Sequence, residues 1–156
     1  MIDVRRAGLR LSGDGGLLDR ALVHHWLSTD SYWAMGRDRA TMDTAIAGSE
    51  CVGIYREDDR RQVAFARVVT DGAVFAYLCD VYVDPDFRGA GLGRWMVGAL
   101  RDELRKRGVR RFLLATATAH GVYAPLGFEA VAPGDWMVCE LQRLKPGPGE
   151  PGAGQR

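Results

Sequence analysis

Hydrophobic positions change period along this chain, and each change marks an element. The stretch Ile2 to Leu11 predicts a strand, closed by the turn-like Ser12-Gly13-Asp14-Gly15-Gly16. Leu17, Leu18, Ala21, Leu22, Trp26 and Leu27 then fall on one helical face. Ser28 to Gly36 has no clear period and carries Tyr32, Trp33 and Met35. A second short helix is predicted over Arg39 to Ala47, with Met42, Ala45 and Ile46 inward and Gly48 at its end. Strands follow at Cys51 to Tyr55 and Gln62 to Thr70, joined by the polar Glu57-Asp58-Asp59-Arg60. Asp71-Gly72 marks the next hairpin turn.

Ala73 to Val83 is an almost unbroken apolar run, as expected of a central strand covered on both faces. Leu92, Trp95, Met96, Ala99, Leu100 and Leu104 return to helical spacing. Arg105, Lys106 and Arg107 complement the dipole at the end of that helix, and Gly108 caps it. Phe112 to Ala115 predicts a short buried strand and Gly121 to Leu126 a short helix. Two final strands are expected around Phe128 to Val131 and Trp136 to Leu141. From Pro146 the chain reads PGPGEPGAGQR, too poor in apolar side chains to offset the entropy of ordering. The pattern predicts one mixed α/β domain over residues 1–144 and a disordered Pro/Gly-rich tail over 145–156.

Composition narrows the function classes. A 156-residue chain with 47% hydrophobic and 26% charged residues has the make-up of one globular domain. A net charge of +1 gives no support to a nucleic-acid or membrane partner. No apolar run approaches the roughly 20 residues that span a bilayer, and the opening MIDVRR is not a secretion signal. The expected location is the cytoplasm. Cys51, Cys79 and Cys139 form no CxxC pair, so neither a metal site nor a disulfide framework is expected. Each reads as a small buried hydrophobe, although Cys79 as a catalytic thiol stays open.

The most informative stretch is Asp84-Pro85-Asp86-Phe87-Arg88-Gly89-Ala90-Gly91-Leu92-Gly93-Arg94, which joins the apolar strand to the long helix. Its glycines let backbone N–H groups approach a ligand with no Cβ in the way. A helix start adds unpartnered N–H groups and a positive dipole end, together a cradle for phosphate oxygens. Arg88 can add a charge-assisted contact. A tight turn without a ligand is the alternative. A P-loop fits poorly because no GxxxxGK[ST] occurs. A dinucleotide fingerprint fits poorly because Arg94 stands where a third glycine is needed and Ala115-Thr116 where an acidic ribose-binding residue should end the next strand.

Arg88-Gly89-Ala90-Gly91-Leu92-Gly93 resembles the (Q/R)xxGx(G/A) pyrophosphate loop of the GNAT superfamily of N-acetyltransferases. Downstream, Tyr123-Ala124-Pro125-Leu126-Gly127-Phe128 resembles that superfamily's Tyr-x-x-x-Gly-Phe segment. The resemblance covers essentially Met1 to Leu144. It implies a mostly antiparallel sheet of about seven strands, a β-α-β core that binds acetyl-coenzyme A, and flanking helices.

The resemblance further implies that two strands splay apart to hold pantetheine along the backbone around Val81 and Val83. Arg88, Gly89, Ala90, Gly91, Leu92, Gly93 and Arg94 would hold the pyrophosphate, with Thr116 and His120 alongside. The reaction implied is direct acetyl transfer to a primary amine in a ternary complex, with a small-molecule or peptide acceptor. Tyr123 matches the tyrosine that donates to the coenzyme A sulfur; packing of its ring beside Phe128 is the alternative. A backbone N–H near Tyr82 or Val83 would steady the oxyanion. The superfamily often dimerises, which leaves a homodimer open here.

Asp80 interrupts the apolar strand with a group rarely buried without a partner. It reads as the acceptor of the amine proton or an anchor for a cationic substrate, or else as a carboxylate paired with an arginine such as Arg67. Several members of the superfamily place a glutamate earlier on this strand, where Tyr77 stands here. His120 reads as a substrate contact or a structural residue. Tyr32 and Trp33 lie where the acceptor pocket is usually bordered, and can enclose an amine or staple their loop to the core. His24 and His25, adjacent on a helix, face different directions. Transfer of another acyl group, a coenzyme A-binding sensor without turnover, and an interaction domain with an empty loop are the competing readings.

Overall fold

The computed structural model describes residues 1–139. The predicted tail, and the end of the domain at Leu144, lie outside the described residues. Six strands form one sheet in sequence order: β1 (Asp3–Arg6), β2 (Leu9–Ser12), β3 (Glu50–Arg56), β4 (Gln62–Thr70), β5 (Phe75–Val83) and β6 (Arg111–Leu113). All neighbours are antiparallel except β5 and β6, which are parallel and connected by the long helix α3 (Leu92–Lys106). Helices α1 (Arg20–Asp30) and α2 (Arg39–Ala47) precede β3, and the short α4 (His120–Tyr123) follows β6.

Two differences from the predicted elements have local causes. The single strand expected over Ile2 to Leu11 is a hairpin, because Ala7 and Gly8 both take positive φ (50° and 76°) and reverse the chain between β1 and β2. No strand forms over 128–131 or over 136–139, so the described sheet has six strands rather than about seven. Trp136 and Met137 there are exposed, and no sheet neighbour supplies their ladder bonds.

The capping chemistry sets the helix starts. Asp19 and Asp38 accept from Leu22 N and Thr41 N at 2.9 Å each, so α1 begins three residues later than the apolar pattern alone suggests. The sheet is covered on both faces. Leu92, Met96, Val97, Leu100 and Leu104 of α3 pack on Val52, Ile54, Ala64, Ala66 and Leu78. Val23, Trp26 and Leu27 of α1, with Met42 and Ile46 of α2, pack on Phe65 and Tyr82. At about 25 cal/mol per Å² of buried apolar area, these two layers are the main stabilising term.

Strand β5 changes parity midway. Ala76 and Leu78 point toward α3, but beyond Asp80 it is Val81 and Val83 that pack on that layer, while Tyr82 faces α1. The switch is a bulge. Register with β4 slips between Phe65 and Arg67, and Asp80 takes a positive φ of 49°. Such a backbone is uncommon for a residue with a Cβ, so the surroundings must hold it.

Candidate active site

Pairing of β5 with β6 stops at Tyr77 and Leu113. Past that point the strands diverge, and a cavity of about 370 Å³ opens between Leu78–Val81 and Leu114–Thr116. Asp84 N–H donates to Val63 O at 2.9 Å, so Asp84 and Tyr82 direct their backbone groups at β4. By alternation Val83 and Val81 present theirs to the open seam. Tyr82, also expected to border a ligand, is turned inward instead: its ring stacks on Trp26 and its hydroxyl donates to Asp30 Oδ2 at 2.6 Å. Burial foremost, then that bond, push its phenol up to about 12.

The seam ends at the glycine loop. Gly89 and Gly91 have φ of 81° and 74°, and a Cβ at either position would meet no protein atom within 4 Å. Their space opens outward. Gly93 differs: a Cβ there would make ordinary contact with Val83 at 3.8 Å, so it faces β5 instead of open space. Among the described residues, the N–H groups of Gly89, Ala90, Gly91, Leu92, Gly93 and Arg94 find no acceptor. Six consecutive donors at the positive end of a 15-residue helix fit a pyrophosphate.

Arg88 is not simply free beside this cradle. Its Nε donates to Val83 O at 2.9 Å and its Nη2 to Asp30 Oδ2 at 3.0 Å, with the guanidinium over the Tyr82 ring. Arg94 reaches Gly121 O at 3.5 Å and links α3 to α4. Arg101 Nη1 donates to Leu126 O at 2.9 Å, which seats the turn after α4 on α3. That packing positions Tyr123.

Tyr123 lines the cavity, half-buried, with its ring 5.9 Å from Phe128. Its hydroxyl has no hydrogen-bond partner among the described residues, and burial raises its pKa. Thr116 lines the same cavity and its hydroxyl accepts from Ala119 N–H at 3.0 Å. His120 is exposed and lines an adjoining cleft that shares Leu114, Ala115, Thr116 and Tyr123 with this cavity, but it is not among the residues that line the cavity itself.

Asp80 lies at the cavity floor, its side chain 3% exposed. Its Oδ2 accepts from Arg67 Nε at 2.6 Å and Arg37 Nη1 at 2.7 Å, and its Oδ1 from the Trp33 indole at 3.2 Å. Burial raises its pKa, but the hydrogen bonds and charges of Arg37 and Arg67 outweigh burial and leave it below the ordinary value. A carboxylate so held is a poor proton acceptor, and its charge is already met by two guanidiniums. The pairing with Arg67, the alternative drawn from sequence, is present, and Arg37 joins it. Arg37 was not singled out in the sequence; its only signal was its place at the end of the aromatic segment.

Tyr32 and Trp33 stand in the loop between α1 and α2 with their rings edge to face at 5.0 Å, and both line the cavity. Gly36 N–H donates to Ser28 O, and the His24 Nε2–H donates to Arg37 O at 3.0 Å, which fixes the loop. Cys79 also lines the cavity, its thiol pushed up by burial, with no histidine among the lining residues. Among the described residues no helix is long and apolar enough to cross a membrane.

Comparison with known proteins agrees with this geometry. Residues 20–128 match the model of the acetyltransferase (GNAT) family. A Gibberella zeae protein carrying the name acetyltransferase is 30% identical over 92% of this chain and 92% of its own. A Xanthomonas campestris pv. campestris structure, described as belonging to the GNAT family, is 41% identical. It superposes with a TM-score of 0.80 over 88% of this chain and 96% of its own. A Clostridium acetobutylicum structure solved with acetyl-coenzyme A shares the fold at 17% identity, with a TM-score of 0.62 over 85% and 95% of the two chains.

Proposed function

The chain belongs to the acetyltransferase (GNAT) family, and from that premise we propose that it moves the acetyl group of acetyl-coenzyme A directly to a primary amine in a ternary complex. The observation that carries the proposal is the open seam between β5 and β6, which runs from the unpartnered amides of Gly89–Arg94 to the hydroxyl of Tyr123. The loop amides take the pyrophosphate, and the seam-facing backbone at Val81 and Val83, whose Val83 carbonyl already accepts from Arg88, pairs with pantetheine as a further strand would. Nothing in a direct transfer requires a nucleophilic side chain, which suits a cavity whose one thiol is pushed up by burial.

In this reading the amine nitrogen attacks the thioester carbon, and the C–N bond forms as the C–S bond breaks. Tyr123 donates its hydroxyl proton to the departing sulfur, and the proton lost by the nitrogen passes to water, from which the Tyr123 oxygen is reprotonated. A seam amide at Val81 or Val83 donates to the developing oxyanion in water-poor surroundings. Asp80 acts as a positioning residue: it ties Trp33, Arg37 and Arg67 into one cavity wall. The compartment proposed is the cytoplasm.

The test is calorimetric titration of the protein with acetyl-coenzyme A, repeated with Arg88→Ala plus Gly91→Glu. Saturable binding that disappears in the variant supports the loop's role and licenses a screen of amines by thiol release. Absence of binding by the unmodified protein overturns the reading.

A further inference from the structure

The charged groups of the cavity do not balance. Arg37, Arg67 and Asp80 line it, two cations against one anion. Asp80 is already engaged at both oxygens by protein donors, and its single negative charge is shared by two guanidiniums. Arg37 uses only Nη1 on Asp80; its Nε and Nη2 N–H groups have no acceptor among the described residues. Arg67 uses Nε on Asp80 and Nη1 on Ser49 Oγ at 3.1 Å, which leaves Nη2. The two side chains are 21% and 13% exposed, so water screens their field only weakly. A guanidinium with spare donors, held rigidly by a carboxylate, is a fork for a planar anion.

We infer that the amine acceptor carries an anionic group, a carboxylate or a phosphate, which the Arg37 guanidinium holds at the cavity floor while Tyr32 and Trp33 cover its carbon skeleton. The inference rests on the transferase reading and specifies its substrate class. The arrangement also suits the chemistry: surplus positive charge repels an ammonium and tolerates the uncharged amine that attacks the thioester. Burial of a ligand anion against Arg37 gives the net cation of the floor a counter-ion, which no residue of the cavity supplies.

The experiment compares matched acceptors by thiol release on one preparation whose acetyl-coenzyme A binding is first measured by calorimetry. Phenylalanine is paired with phenethylamine, and phosphoethanolamine with ethanolamine. The expected result is that the anionic member of at least one pair is preferred at least about tenfold in kcat/KM. Whichever pair responds identifies the anion as carboxylate or phosphate. Arg37→Gln is expected to bring the preference close to unity, and Arg37→Lys to restore part of it. Equal or better use of the uncharged-tail members overturns the inference, as does turnover of neither pair or a preference that survives Arg37→Gln. If acetyl-coenzyme A itself does not bind, the transferase reading fails first and this inference falls with it.

Discussion

Arg37 donates to Asp80 at 2.7 Å at the floor of the cavity, joining the loop after α1 to the bulge in β5. The two residues are 43 apart in sequence, and the pair fastens the aromatic loop to the strand that borders the seam. It also occupies the carboxylate that a proton-transfer mechanism would need.

Asp80→Asn is therefore expected to act on stability before chemistry. Losing the charge leaves two largely buried guanidiniums without a counter-ion, at a cost of about 3 kcal/mol. Urea unfolding reads this directly. Because the folded carboxylate has a lowered pKa, its stabilisation is complete above the ordinary value of 3.8 and is lost as pH falls through the folded value. The wild-type stability curve should bend below that pH and the Asn variant's curve should lack the bend. In the pH–rate profile Asp80→Asn should remove no ionisation; disappearance of a limb would make Asp80 a base after all.

Tyr123→Phe removes a hydroxyl that makes no hydrogen bond among the described residues, so folding should be untouched. The expected loss is in kcat, on the order of a hundredfold, with KM for acetyl-coenzyme A nearly unchanged. An unaltered kcat would confine Tyr123 to packing on Phe128.

Asp30 competes with a ligand for Arg88. Asp30→Ala releases the guanidinium from its 3.0 Å bond, leaving it held by Val83 O and the face of the Tyr82 ring. Tighter acetyl-coenzyme A binding at low salt is expected, with the gain shrinking as salt rises. Weaker binding would mean that Asp30 presents Arg88 to the loop instead of withholding it.

The cysteines should separate by reactivity. Burial pushes the Cys51 thiol up to about 11 and raises that of Cys79, whereas Cys139 is exposed. Iodoacetamide at neutral pH followed by peptide mass analysis should label Cys139 first and Cys51 last. Rapid labelling of Cys79 would return a thiol mechanism to consideration.

Much of this architecture was legible in one dimension because its signals are local. Helical spacing over Leu92–Leu104, the Asp-Gly turn and the glycines before α3 each act within a few residues of themselves. The hairpin at Ala7-Gly8 was missed because Ala is a poor sign of positive φ, and the strands expected after Phe128 do not form over the described residues, since apolar alternation alone supplies no neighbour. The loop at Arg88–Arg94 was readable because unpartnered helix-start amides are a property of backbone and glycine, independent of the rest of the fold.

The sequence by itself determined the order of elements from α1 to α4, the glycine loop at the start of α3 proposed as a phosphate cradle, and Tyr123 as the donor to test. Only the tertiary structure decided what Asp80 is, because burial and charge pairing depend on what arrives from distant segments. Arg37 and Arg67 come from a loop and a neighbouring strand, and together they turn a lone acid on an apolar strand into the neutralised post of a net positive cavity.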